Sequence, residues 1–146
     1  DYELSKLSFG KMGPVFVTHN NMIVLQWEGQ GVSRLHLGVL SRRQFNSSEQ
    51  SLRSSPFAAS VAWLIDDFRG SWVDLDLSTW LERIAACVAL VATTHGQRRH
   101  AVVVASETSQ RLMRYLLRLD LASVWQSGTT RLFDCPFKAR RWVEEC

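Results

Sequence analysis

"DLSTWLERIAACVALV", residues 76–91, joins a strand-like segment to an apolar helix and decides how the second half of the chain is read. Just before it, "SWVDLDLS" at 71–78 alternates apolar and acidic residues and predicts a strand. Ile84 to Thr94 then predicts a helix closed by Gly96. "HAVVVAS" at 100–106 is a continuous β-branched run, the pattern of a strand buried on both faces. Glu107 to Leu119 predicts a third helix, apolar at Leu112, Leu116 and Leu119, with Ser106 as its cap. Val124–Trp125 reads as the start of a further strand, and residues 131–134 as a short strand before a terminal helical turn.

Upstream, Ser55 and Pro56 have the chemistry of a helix start, and Phe57, Val61, Leu64, Ile65 and Phe68 follow at roughly helical spacing up to Gly70. Residues 41–55, "SRRQFNSSEQSLRSS", are polar and serine-rich and are expected to be a mobile loop. Nearer the N-terminus, "PVFVT" at 14–18 and "MIVLQWE" at 22–28 flank the turn residues "HNN" and predict a hairpin, with "VSRLHLGVL" at 32–40 as a third strand. Helices alternating with strands after an antiparallel hairpin imply a single α/β domain over residues 12–146, with a mixed sheet and helices packed on it. Residues 1–11 are expected to be an extension or tag, with Met12 a possible start.

With 46% hydrophobic and 21% charged residues, the 146-residue chain has material for one core and resembles neither a disordered nor a collagenous sequence. No apolar run approaches the roughly 18 residues of a membrane helix. Cys87, Cys135 and Cys146 form no motif, so a disulfide framework is not expected and a cytoplasmic setting is. A net charge of +3 is compatible with nucleic acid or an acidic protein surface without demanding either.

From about residue 56 to 126 the chain resembles the STAS family (sulfate transporter and anti-sigma factor antagonist domains). "WVDLDLS" looks like the family's central strand ending in Asp-Leu-Ser, and Thr79 to Arg83 matches its five-residue spacer. "VALVATTHGQRRHAVVVAS" is similar to the helix, turn and strand that follow, and "SETSQRLMRYLLRLDLASVW" to the last helix and its ending. The slot where the family carries Asp-Ser-Ser-Gly, with a phosphorylatable serine, reads Ile84-Ala85-Ala86-Cys87 here. Asp120 stands where the family has glycine, and the stretch from Gly29 to Ser55 is longer than the family needs. The resemblance implies a non-enzymatic interaction module that docks on a protein such as a kinase-like regulator or a transporter component, with no cofactor and no phosphorylation switch. On this reading the partner surface is Ser78, Thr79, Arg83, Ala85 and Ala86, the small residues leaving a helix start open.

Two other constellations compete. Asp74 and Asp76 share one side of the predicted strand, as metal-binding carboxylates do, although no third acid joins them. Arg111, Arg114 and Arg118 share one helix face and offer an anion-binding stripe suited to nucleic acid or to an acidic protein. His19, His36, His95 and His100 lack metal-ligand spacing, so no metal site is expected. No phosphate-cradling glycine motif or nucleophile elbow is present.

Overall fold

A computed structural model describes residues 3–6, 12–17, 21–56, 58–72, 77–95, 98–118 and 129–145. Seven strands lie in one sheet in chain order: β1 (Glu3–Lys6), β2 (Met12–Val17), β3 (Asn21–Glu28), β4 (Gly31–Val39), β5 (Trp63–Trp72), β6 (Arg99–Val103) and β7 (Thr130–Phe133). β1 to β4 form an antiparallel meander, and β4 to β7 are parallel neighbours. Helices α1 (Arg42–Ser54), α2 (Leu77–His95) and α3 (Ser106–Arg118) make the three parallel crossovers, and α4 (Pro136–Glu144) follows β7.

The mixed sheet, its N-terminal antiparallel strands and the packed helices match the α/β expectation. Several segments differ. Residues 41–55 are not a mobile loop: Ser41 caps α1 by accepting a hydrogen bond from the Gln44 amide, and the helix runs to Ser54. The stretch expected to be a helix after Pro56 holds only a 3₁₀ turn at Ala58–Ser60, and then β5. The strand expected at 71–78 is β5's last two residues, and residues 73–76 lie outside the described part. The helix expected from Ile84 starts at Leu77. Glu3–Lys6, within the presumed extension, pairs with β2 as a strand of the sheet. Val124–Trp125 lies outside the described residues.

The two faces of the sheet are covered differently. Leu64 and Phe68 of β5 face α1 and α2, together with Ile23, Leu25, Val102 and Val104. α2 fits there because Trp80, Leu81, Ile84, Val88 and Val91 recur on one side of a 3.6-residue period. Each such side chain that is fully buried contributes about 1.5–3 kcal/mol over leaving it exposed. Opposite, Trp63, Ile65, Ala101 and Val103 pack under Ala139 and Val143 of α4.

The β3–β4 turn shows how closely the meander approaches β5. Gly29 has φ +59°, a left-handed conformation that costs glycine nothing. Gly31 pairs with Trp63 across the parallel ladder, and the indole lies directly over it. A Cβ at Gly31 would fall 2.0 Å from the ring. Gly31→Ala should therefore lower stability by about 1–3 kcal/mol through overpacking. Urea unfolding of this variant beside Gly29→Ala would separate steric from backbone cost, and an unchanged midpoint for Gly31→Ala would refute the close packing.

Candidate functional site

Six ionisable side chains from five elements converge inside the fold. Arg34 of β4 and Asp66 of β5 are direct neighbours in the parallel register, so their side chains emerge side by side on the helix-covered face. The guanidinium grips the carboxylate in a fork, Nε to Oδ1 at 2.7 Å and Nη2 to Oδ2 at 2.9 Å. Two residues along β4, His36 donates Nε2–H to Oδ1 at 2.8 Å, and His100 of β6 donates Nε2–H to Oδ2 at 2.7 Å. The carboxylate only accepts, which fixes both tautomers as Nε2–H.

The remaining Arg34 nitrogen, Nη1, donates to Glu49 and Ser48 of α1. Glu49 also accepts from His95 Nε2 at the end of α2, at 2.8 Å. His36 stacks on Phe68 at 4.3 Å between ring centroids, and the Arg34 guanidinium lies 4.3 Å above the Phe45 ring. Arg34, Asp66, His36 and Glu49 are all at most 1% exposed.

Burial alone would push the Asp66 carboxyl up, but the Arg34 charge and the His100 and His36 hydrogen bonds hold it well below the usual carboxylate range. Glu49 is likewise lowered despite burial, by Arg34 and His95. Arg34 is raised, the two carboxylates outweighing its desolvation. His36 is pushed below its ordinary value by burial, against the pull of Asp66. Cys87 is raised by burial, which leaves a protonated, inert thiol.

The network is buried, and most of its polar atoms bond one another, while His36 Nδ1 and His100 Nδ1 are buried without a hydrogen-bond partner. It organises the core and does not form an accessible reaction centre. Among the described residues no group of three or more His, Cys, Asp or Glu is arranged to hold a metal ion.

Asp66→Ala should cost roughly 3–5 kcal/mol, because it strands a buried guanidinium. A loss under about 1 kcal/mol in chemical denaturation would show that the cluster is solvated. The pH dependence has a defined sign. Below about pH 6.5 the unfolded chain takes up a proton that His36 in the fold resists, so stability falls. Below about pH 4 unfolding protonates carboxylates that the fold keeps ionised at Asp66 and Glu49, so the loss deepens. Urea midpoints that stay constant from pH 7.5 to 4 would contradict this.

The surface set expected around the second helix is dispersed. Ser78 is exposed and Thr79 half-buried on the first turn of α2. Arg83 donates to the Leu40 carbonyl at 2.7 Å and braces the end of β4. Ala85 is 1% exposed within the core, and Ala86 is half-buried. Because α2 starts at Leu77, the slot Ile84–Cys87 sits about two turns inside the helix. The expected open helix start at Ala85 and Ala86 is therefore corrected. Asp74 and Asp76 fall outside the described residues. Arg111 and Arg114 are exposed on α3, which also contains Arg118.

Arg114 joins a larger surface feature. A groove of about 710 Å³ runs between α3, β7 and the first turns of α4. Gln110, Met113 and Arg114 form one wall, Arg131 to Asp134 the floor, and Lys138 the other wall. It lies at the carboxyl end of the parallel strands, where open α/β sheets generally bind their ligands. Next to Lys138, Phe137 is 81% exposed. Sequence reasoning found Arg114 by its helical spacing but had no signal for Arg131, Lys138 or Phe137, which only the fold brings beside it. No known family model matches the chain, and no curated protein matches it.

Proposed function

We propose that this chain is a non-enzymatic protein-interaction module of the STAS type, without the phosphorylatable serine, that docks through the α3–β7–α4 surface. The observation that carries this reading is Phe137, a large apolar side chain left 81% exposed beside a basic groove. An exposed aromatic rimmed by charge is the composition of an interface anchor. Among the described residues, the clustered ionisable side chains are, in contrast, buried in mutual hydrogen bonds. The partner of such a module is a protein with an acidic surface, such as a cytoplasmic kinase-like regulator or a transporter component.

The basic residues Arg111 and Arg114 also suit nucleic acid, so the experiment separates the two. Tagged wild-type and Phe137→Asp chains are used to capture partners from a native lysate with and without nuclease. A stoichiometric protein that survives nuclease and is lost with Phe137→Asp is expected, while the variant keeps its stability within about 0.5 kcal/mol as a surface change. Recovery of nucleic acid alone, or of partners that vanish with nuclease, would overturn the docking role.

A further inference from the structure

Among the described residues, the floor of the groove is a strand edge on which no further strand lies. β7 is the last strand of the sheet, with β6 as its neighbour. The His100 amide donates to the Thr129 carbonyl at 2.6 Å, and the Val104 amide to the Phe133 carbonyl at 3.0 Å. Odd-numbered residues of this segment thus face β6. In a ladder the alternate residues point the other way, so the N–H and C=O of Thr130 and Leu132 are directed outward, into the space between α3 and α4.

From this geometry we infer that the groove takes an extended acidic segment of a partner protein, added as an eighth strand along β7. The inference rests on the docking function proposed above and names its surface and ligand. Three cations, Arg114, Arg131 and Lys138, border the edge, against one carboxylate, Asp134, which lies 4.0 Å from Lys138. Among the described residues no ion pair engages Arg114 or Arg131. An added strand satisfies the outward amides and carbonyls together, and its alternate side chains reach the flanking cations.

A phosphate backbone offers acceptors but no N–H donors, so it would leave the Thr130 and Leu132 carbonyls unmatched. A second copy of this chain fits poorly, because antiparallel pairing of two β7 edges sets Arg131 near Arg131, and like charges across a ladder are destabilising. Met113 and Phe133 supply apolar contacts between the charges, as an alternating acidic and apolar strand requires.

The probe is a labelled ten-residue peptide alternating glutamate and valine, with the lysine–valine counterpart as control. Anisotropy should show binding of the acidic peptide only, weakened at least about tenfold by Arg131→Glu. Hydrogen exchange on the wild-type chain should slow at the Thr130 and Leu132 amides when the peptide binds. This readout needs no mutation and follows from strand addition but not from loose charge attraction. No binding, equal binding of both peptides, or binding without protection at these two amides would overturn the proposal. If Arg131→Glu still captures the nuclease-resistant partner, the groove is not the docking surface, and the docking function stands without it. Loss of that partner together with the peptide supports both.

Discussion

A single buried carboxylate sets the arrangement of the sheet. Asp66 cannot be ionised at the centre of the fold without compensation, because desolvating a lone charge costs many kcal/mol. Its compensation comes from β4 through Arg34 and His36 and from β6 through His100. Glu49 of α1 and His95 of α2 then complete the surroundings of the guanidinium. Each of these elements must hold one register and one rotation for the network to close. A one-residue slip of β5 would move Asp66 to the opposite face, among Ala101, Val103 and Val143. The pair contributes little net stability over an apolar core of equal shape. Its effect is to penalise every alternative pairing.

The same requirement explains which parts of the fold were legible in the sequence. β2 to β4 of the meander, β6, α3, β7 and the terminal helix were readable because their patterns are local: turn residues, a β-branched run, a capped amphipathic period, whereas β1 was read as an extension. α1 was not, because its buried stripe of Gln44, Phe45, Ser48, Glu49 and Leu52 is mostly polar. That stripe faces a buried guanidinium from another strand, so the core side of α1 reads as a solvated loop. β5 was misread for a related reason. Leu64, Asp66 and Phe68 alternate with Trp63, Ile65 and Asp67, but a fully buried aspartate breaks the apolar pattern, and its partner lies 32 residues away. The apolar residues that remain fall by chance near a helical period.

Much of the candidate site was also beyond local reading. Arg114 belongs to a visible helical stripe, whereas Arg131 is one charge in a four-residue strand and Lys138 one charge in a short helix. Their proximity is made by a parallel crossover, and crossovers leave no mark on the spacing of residues. The small pair Ala85 and Ala86 shows the opposite error. Small residues suit an open surface and a tight helix–sheet contact equally well, and α2 uses Ala85 for the contact.

The buried network and the open edge are joined by one strand. His100 binds Asp66 with its side chain and accompanies Thr130 in the β6–β7 register, while its amide donates to Thr129. The residue that locks β6 to the centre of the sheet therefore also sets where β7 begins. Leu132 packs against the main core from that position, and Phe133 meets Trp142 on the other face at 5.6 Å between ring centroids. A four-residue edge strand has few ladder bonds of its own. Its outward backbone groups can serve as a recognition surface only if something else fixes their position. Here that is supplied from both faces and from His100, so the polar chemistry sealed inside the molecule acts as the rigid support for the surface left open.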